Sequence, residues 1–583
     1  MQIGLDRKIW EVAQPVPDEI VARVRRTAGL EDVPEVVVQL LHNRGVTNPD
    51  DMRDFLAADP PPPGDPFLLK DMSQAVERVT AAIDQGDLIA IYGDFDVDGI
   101  TSLALLCEVL SLLRARVVTY IPSRTEEGYG LHREAIRGLH EQGVKLLITV
   151  DCGIAAGSEI GFAKSLGMDV VVTDHHQVSG PVPRASAVIN PRQPGCLYPF
   201  KELAGVGVAL KLAQGLLQRH RHTLGVEPTD VEERLLDLVA LGTIADVVPL
   251  LGENRTLVRR GLVALNKTRR PGLQEMVQRA GLKMGDITPT AVGYALAPRL
   301  NAAGRLAHAD QSYKLLTTLS PQEARELAEY LETKNAERQK LTSEVLVRAR
   351  EEIARMAEDA KLFVVVGADY PSGIVGLVAG RLAEERYRPV VVVELGAEES
   401  RGSARSIAGV DITKALTDCS DLLTRFGGHA QAAGFTIPTE HLAEFKERLQ
   451  RSVQGQLKQW DLQPKIRIDA ELHPGRLTWG LFEAVNRLEP FGAGNPVPVF
   501  CSGPLRVVES RRVGKELPGH LRLRLHDGRR YWTAVAFNMG DEAERLTPGV
   551  AIEIAYSIAL SEWNGTKSLD LQVQAWRPFQ SGL

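Results

Sequence analysis

Hydrophobic positions in the first third of the chain fall in short, nearly unbroken runs: Ile89-Ala-Ile-Tyr-Gly93, Leu146-Leu-Ile-Thr-Val150 and Val170-Val-Val-Thr173. Runs of this length, rich in β-branched residues, predict strands buried on both faces, as in a parallel sheet. Thr101 to Leu113 predicts the helix of a strand-turn-helix unit, and Glu232 to Leu241 is amphipathic at helical spacing. Ser320-Pro-Gln-Glu323 supplies an N-cap, a first-turn proline and a capping-box Glu, and no Gly or Pro follows until well past Met356. One helix from Pro321 to Met356, about 50 Å long at about 1.5 Å per residue, would connect two domains and leave a cleft between them.

Beyond that helix, Leu362-Phe-Val-Val-Val366 and Pro389-Val-Val-Val-Val-Glu394 predict strands around a helix starting near Ile374, which makes a second, smaller α/β unit. His520-Leu-Arg-Leu-Arg-Leu-His526 alternates apolar and basic residues, Asp527-Gly528 turns the chain, and Tyr531 to Phe537 returns. This hairpin belongs to an antiparallel barrel from about 465 to 583, with one basic face of the kind that binds a single strand. Residues 1 to about 70 read as a helical preface, closed by Pro60 to Pro63 as a stiff connector. The expected fold class is therefore α/β: a parallel-sheet domain over 71–318, a long helix over 319–357, a smaller α/β domain over 358–455 and an oligonucleotide-binding-type barrel over 456–583, after a preface over 1–70.

Chemistry gathers where the first strands end. The first run leads into Asp94, Asp96 and Asp98, the second into Asp151, and the third into Asp174-His175-His176. Open α/β sheets build their sites at the carboxyl ends of strands, so these groups share one ridge. Unpaired carboxylates side by side are costly to desolvate unless a cation neutralises them, which points to a metal site. A lone Asp at a strand end is often only a helix cap, but capping does not explain His175-His176. An EF-hand reading of Asp-x-Asp-x-Asp-Gly fails because its twelfth position is Leu105 rather than Glu. Asp246, alone in an apolar stretch after the amphipathic helix, is either a fourth contributor or a turn cap.

Composition sets limits on partners. The 583 residues are 44% hydrophobic and 25% charged, enough for several globular domains, with no transmembrane run and no apolar leader. A cytoplasmic protein without membrane contact is expected. Five scattered cysteines argue against disulfides or a structural zinc site, and Cys152 beside Asp151 reads as a small buried residue rather than a nucleophile. A net charge of −7 confines any nucleic-acid-binding field to local patches. Arg255 to Lys283 and Arg506 to Arg530 are the two basic stretches, each either a phosphate contact or a solvated face.

The motifs Asp-Phe-Asp-Val-Asp-Gly-Ile-Thr-Ser at 94–102, Val-Asp-Cys-Gly at 150–153, Asp-His-His at 174–176 and Ala-Asp-Val-Val-Pro at 245–249 resemble the four ordered motifs of the DHH phosphoesterase superfamily. Glu127-Gly-Tyr-Gly-Leu131, Leu203-Ala-Gly-Val-Gly207, Pro298-Arg-Leu-Asn-Ala-Ala-Gly-Arg305, Gly427-Gly-His429 and Leu488-Glu-Pro-Phe-Gly-Ala-Gly-Asn-Pro496 resemble, more narrowly, the RecJ single-strand-specific 5′ exonucleases. The resemblance implies a DHH domain, a DHH-associated domain and an oligonucleotide-binding fold. It implies two divalent ions, Mn²⁺ favoured and Mg²⁺ acceptable to the same oxygen-rich set, held by Asp96, Asp98, Asp151, His175 and Asp246, with Asp151 bridging. Asp94, Asp174 and His176 fit either as ligands or as groups that orient the ligands and handle protons, with Asp94 placed among the ligands. Asp98, Asp151, His175 and His176 are the catalytic candidates. Such a pair, about 3.5–4 Å apart, makes water the nucleophile, and His176 either protonates the leaving 3′ oxygen or hydrogen-bonds the scissile phosphate.

Substrate contacts are assigned on the same resemblance. Arg299 and Arg305, flanking Asn301, are candidates for the 5′ phosphate, otherwise stabilising the loop around Gly304, and Asn301 is a candidate nucleic-acid contact. Tyr129 stacks on a base or packs in the core. Gly428 and His429, with Arg405, are candidates for phosphate contact in the second domain, where the alternative for the glycine pair is a tight turn after a helix. Arg522 and Arg524 stand on the barrel face. The pattern is departed from at Tyr370-Pro371-Ser372-Gly373, where relatives commonly carry Trp-His, so any contact of that histidine is either absent or replaced by Ser372. The chain also ends soon after the barrel, without the extra C-terminal domain of some relatives. The function implied is metal-dependent 5′→3′ exonuclease action on single-stranded DNA, giving 5′ mononucleotides in repair and recombination, by a monomer that meets a single-stranded-DNA-binding protein and a helicase. The alternatives are a phosphodiesterase for short oligonucleotides or cyclic dinucleotides, and a non-catalytic DNA-binding scaffold.

Overall fold

Each of the three apolar runs forms a strand that stops one residue before its charged cluster. In the computed structural model, which describes residues 8–57, 64–124, 126–357, 359–457, 462–514, 519–563 and 565–579, the strands are Leu88–Gly93, Val144–Val150 and Asp169–Thr173. With Arg116–Tyr120 on one edge and Ala187–Ile189 on the other they make a five-stranded, fully parallel sheet. Its order runs Arg116–Tyr120, Leu88–Gly93, Val144–Val150, Asp169–Thr173, Ala187–Ile189, so the chain reverses direction across the sheet between the strands that end at Gly93 and Val150. That switch point is where an open parallel sheet leaves a crevice for a ligand.

Helices Val97–Leu112, Gly205–Arg219 and Pro228–Ala245 are apolar on nearly every face, because they lie between the sheet and further helices. Pro321–Ala354 forms the long helix, two residues shorter than the sequence predicts. Residues 61–344 together with 490–495 form one compact unit, and 1–60, 345–489 and 496–583 form another.

Among the described residues the second unit contains two larger sheets besides a two-stranded one. Phe363–Gly367 and Val390–Glu394 pair in parallel, followed by antiparallel Glu399–Arg405, Ala432–Pro438 and, at the edge, Arg425–His429. Of seven strands between Ala470 and Pro578, five close on themselves through the pairing of Ala551–Trp563 with Thr566–Pro578, which makes the oligonucleotide-binding barrel. Its strand His520–His526 buries Leu521, Leu523 and Leu525 and leaves Arg522 and Arg524 outside.

One local expectation is corrected and one alternative is excluded. The preface holds helices Asp18–Ala28, Glu35–Asn43 and Pro49–Leu56, but it opens with a strand, Ile9–Val12, paired in parallel with Lys465–Ile468. Local periodicity carries no signal of a partner at the other end of the sequence. Gly427-Gly428 is not a turn after a helix; both glycines sit inside the edge strand, where a Cβ on Gly428 (φ 147°) would lie 2.5 Å from the Ala433 Cα across the ladder. The proline connector at 60–63 falls outside the described residues.

Candidate metal centre

The acids reach one another because the turns that present them are built around glycines and caps. Asp96 is the N-cap of Val97–Leu112, its Oδ1 accepting the Asp98 and Gly99 amides at 3.0 and 3.1 Å. The capping role and a ligand role are compatible, since the second oxygen is left over. A Cβ on Gly99 would sit 2.6 Å from the Asp94 carbonyl, so only glycine lets the helix start this close to the strand end. Asp98, almost fully buried, accepts the Gly205 and Val206 amides at 2.6 and 2.8 Å, which places a carboxylate at the N-terminus of Gly205–Arg219. The EF-hand alternative is excluded by this helix, which begins at Val97, inside the would-be calcium loop.

Asp151 occupies the left-handed region (φ 59°), an uncommon conformation for a residue with a side chain. Three hydrogen bonds impose it: its amide donates to the Thr173 carbonyl at 3.0 Å, the Thr173 hydroxyl to the Thr149 carbonyl at 2.7 Å, and the Thr149 hydroxyl to the Cys152 carbonyl at 2.7 Å. Cys152 itself is buried and its thiol is pushed up by burial and by Asp174, Asp94 and Asp151, which agrees with a packing role.

Asp174 is saturated. It accepts the amides of His175, His176 and Ile154 and the His176 ring Nδ1 (2.8 Å). Burial alone would raise its pKa, but the hydrogen bond from His176 and the fields of both histidines hold it below the usual range. His175, in contrast, has neither ring nitrogen satisfied; its Nε2 lies 3.1 Å from Asp151 Oδ1, 3.6 Å from Asp246 Oδ2 and 3.9 Å from Asp98 Oδ2. Burial and the neighbouring His176 push it down to about 3, so it is a neutral donor of a lone pair. Burial opposes the charged form of His176 too, but Asp174 and the surrounding acids more than offset it and raise it to about 9.

Burial and mutual repulsion raise the remaining carboxyls: Asp94 by burial and Asp96, Asp98 to about 7 by burial and Asp96, Asp151 by burial, Asp98 and Asp96, and Asp246 to about 9 by burial and Asp98. Asp94 Oδ1, Asp151 Oδ1 and Asp246 Oδ2 are buried without hydrogen-bond partners. Orphaned carboxylate oxygens beside an unprotonated imidazole are the donor set a hard divalent cation completes. Asp94, Asp96 and Asp151 bring ligand atoms within 4.8 Å of one another; Asp98, His175 and Asp246 do the same, and Asp151, His175 and His176 link the two groups.

The other candidates fall into separate places. The Tyr129 ring is 42% exposed, but its hydroxyl donates to the Asp151 carbonyl at 3.3 Å and lies 3.2 Å from His176 Nδ1, so it walls the same centre. Arg299, Asn301 and Arg305 lie on helix Ala297–Leu306, whose Gly304 approaches the Phe95 carbonyl within 3.0 Å of where a Cβ would be. Arg299 is engaged with Glu332 at 2.6 Å. In the second unit, His429 and Arg405 are both in register with Ala432, which places them in one row across the sheet; Arg405 lies against Gly376 of helix Ser372–Arg386, which begins at Ser372. Tyr370 of the departing motif is buried on Gly367. In the stretch from Arg255 to Lys283, Arg255 is buried, Arg270 bridges Asp237 and Glu108, Arg260 and Arg279 pair with Glu233 and Glu329, and Lys283 makes a surface pair with Asp286, while Lys267 and Arg269 stay exposed.

Sequence reasoning missed Gly205, whose absent side chain makes room for Asp151, and Arg124, which stacks on Phe95 at 4.8 Å beside Asp94 and Asp96. A glycine at a helix start was a visible signal; the arginine sits in a loop with none.

A parallel sheet with acids and histidines at its switch point, a second α/β module and an oligonucleotide-binding barrel define a DHH-type phosphoesterase architecture. Residues 88–243 match the DHH family N-terminal domain, 359–455 the DHHA1 domain and 468–575 the RecJ OB domain. The chain is 38% identical over 567 residues to a Bacillus subtilis (strain 168) protein named single-stranded-DNA-specific exonuclease RecJ, covering 97% of this chain and 70% of that one. Crystal structures of RecJ from Thermus thermophilus superpose with TM-score 0.84 for the Mn²⁺ complex (31% identity, 99% of this chain, 80% of that) and 0.78 for the Mg²⁺ complex (30%, 99% and 79%). The chain belongs to the RecJ family.

Proposed function

We propose that this chain is a divalent-metal-dependent 5′→3′ exonuclease that hydrolyses single-stranded DNA to 5′ mononucleotides in DNA repair and recombination. The observation that carries the reading is the convergence of Asp94, Asp96, Asp98, Asp151, His175 and Asp246, with unpartnered buried oxygens and an unprotonated imidazole, in a chain of this family. We assign Asp94, Asp96 and Asp151 to one ion and Asp98, His175 and Asp246 to a second, with Asp151 expected to bridge and Mn²⁺ preferred over Mg²⁺ because an imidazole is in the set. Divalent ions held by these residues would supply a lowered water pKa and neutralise the phosphodiester for in-line attack.

The chain's own residues organise the rest. Asp174 fixes the His176 ring through Nδ1, which leaves Nε2 to donate a hydrogen bond or a proton toward the leaving 3′ oxygen. Tyr129 braces the same ring and the Asp151 backbone. Arg305 and Asn301 are assigned to the 5′ end, with Arg299 holding their helix through Glu332; Ser372, Arg405, Gly428 and His429 are assigned to the strand beyond the scissile bond. Arg522 and Arg524, on the exposed barrel face beside the Tyr531 ring, are assigned to DNA phosphates. The domain boundaries expected from sequence, a cytoplasmic location, a monomeric state and encounters with a single-stranded-DNA-binding protein and a helicase belong to the same proposal. Among the described residues no helix is long and apolar enough to cross a membrane.

One assay tests it. A 5′-labelled single strand, a blunt duplex, a dinucleotide and a cyclic dinucleotide are each incubated with Mn²⁺ or chelator, using wild type and Asp151→Ala. Mononucleotide release from the long strand, lost with chelator and in the variant, is expected. Preference for either dinucleotide would overturn the substrate, and an active Asp151→Ala would overturn the site.

A further inference from the structure

The segment Pro490–Asn495 lies in the sequence between two stretches of the second unit, yet it folds as part of the unit that carries the acids. Its sequence, Pro-Phe-Gly-Ala-Gly-Asn, contains no group that the proposed reaction uses. The loop is closed on itself: the Gly492 amide donates to the Asn495 carbonyl at 2.9 Å, the Asn495 amide returns to Gly492 at 3.2 Å, and the fully buried Asn495 side chain donates to the Pro490 carbonyl at 2.9 Å. It seats on Pro249, Leu250 and Leu251 with no side chain in between. A Cβ on Gly494 (φ 69°) would lie 2.9 Å from Pro249 Cβ, one on Gly492 would lie 2.7 Å from Leu250 Cδ1, and the Leu250 amide donates to the Ala493 carbonyl at 2.7 Å.

What this loop supports is the turn that follows Asp246. Helix Pro228–Ala245 ends there, and the next residue, Val247, stands at φ 63° with its side chain 70% exposed. A β-branched residue in the left-handed region gains nothing from a side chain in solvent, so its conformation is imposed from outside. One restraint is at Val247 itself, whose amide donates to the Ile244 carbonyl at 3.3 Å, and the others are at the next residues: Asn254 Nδ2 donates to the Pro249 carbonyl at 3.1 Å, and Ala493 receives the Leu250 amide. Asp246 Oδ2, 3.6 Å from His175 Nε2, has no hydrogen bond to hold it, which leaves its placement to this backbone.

We infer that Gly492 and Gly494 are positioning residues for the metal-centre acid Asp246: the side-chain-free loop braces Pro249–Leu251 and keeps Val247 left-handed, so that Asp246 faces His175. This rests on the assignment of Asp246 to the metal centre. The test uses the full chain, direct Mn²⁺ binding followed by electron paramagnetic resonance, and kcat and KM on single-stranded DNA. Gly494→Ala is expected to weaken Mn²⁺ binding about tenfold, within the range for residues that orient ligands, with KM for DNA unchanged. Glycine adopts the left-handed conformation freely, so adding Val247→Gly recovers most of the loss.

Should Gly494→Ala fail to fold, Gly492→Ala is read instead, with Leu250→Val as the steric rescue that removes the opposing methyl. Folded glycine variants that bind Mn²⁺ like wild type would overturn the inference while leaving the metal centre intact, provided that Asp246→Ala weakens binding. An Asp246→Ala variant with wild-type Mn²⁺ binding would overturn the metal assignment itself.

Discussion

Gly205 stands so close to Asp151 that a Cβ on it would lie 2.6 Å from the carboxylate Oδ1, while its own amide donates to Asp98 at 2.6 Å. One residue thus sets the spacing of two acids on separate strands' turns. Gly205→Ala is expected to fold but to lose about 10–100-fold in Mn²⁺-dependent nuclease activity, the usual range for disturbing groups that orient ligands. Near-wild-type rates on a labelled single strand, with far-UV circular dichroism unchanged, would show that Asp151 relaxes around the added methyl.

Asp151 carries the conflict between stability and function. Its carboxyl is raised by burial and by four neighbouring acids, and its backbone is left-handed. Asparagine tolerates that backbone and removes the charge. Metal-free Asp151→Asn is therefore expected to melt about 2 °C or more above metal-free wild type, with nuclease activity abolished. A lower melting point would mean that the site's acids do not strain the metal-free fold.

The pH response of the metal-free protein has a definite sign. Asp98 and Asp246 are raised to about 7 and about 9, so between their unfolded values and these limits the native state holds protons that the unfolded state has lost. His176, raised to about 9, acts in the same direction above its unfolded value. His175, lowered to about 3, acts oppositely, but its contribution is complete once its unfolded form is neutral. From about pH 6.5 to 8.5 stability in chelator should fall, since the unfolded state binds fewer protons than the native state throughout. Cations displace those protons, so the stabilisation by Mn²⁺ should grow over the same interval. Melting curves with EDTA and with Mn²⁺ at each pH check both slopes, and parallel curves would contradict proton–metal competition.

The strand-end acids were legible because parallel strands announce themselves as apolar runs; the structure gathers Asp94, Asp96, Asp98, Asp151, His175 and Asp246 in one place. What escaped was set by contacts between distant segments. Strand Ile9–Val12 owes its existence to Lys465–Ile468, and Arg260, Arg270 and Arg279 are met by acids on other helices. Local composition describes a charge but not its partner.

Across the barrel face, Arg522 is in register with Arg511, a like-charged pair on adjacent strands, and Arg524 covers the Tyr531 ring at 4.4 Å. Like charges directly opposite are unfavourable unless an anion lies between them. Arg522→Ala and Arg524→Ala should each flatten the plot of log affinity for single-stranded DNA against log salt by about 0.7 per lost phosphate contact, with cleavage of a saturating short strand unchanged. An unaltered slope in the double variant would remove this face from the DNA path.

Lys211 is completely buried, and its ammonium has three neighbours: Glu253 at 2.5 Å, the Gly64 carbonyl at 2.7 Å and the Tyr198 ring at 5.6 Å. Glu253 also accepts the Tyr198 hydroxyl at 2.5 Å and the Gly64 amide at 3.2 Å, so one ion pair ties the start of the sheet-bearing unit to helix Gly205–Arg219, whose first amides hold Asp98. Burial lowers the lysine pKa, with Glu253 opposing the shift. Lys211→Met leaves a buried carboxylate unpaired and should cost about 3–5 kcal/mol in denaturant unfolding. The double change Lys211→Met with Glu253→Gln removes both charges and should cost clearly less. Equal losses in the single and double variants would mean that the pair acts only by filling space.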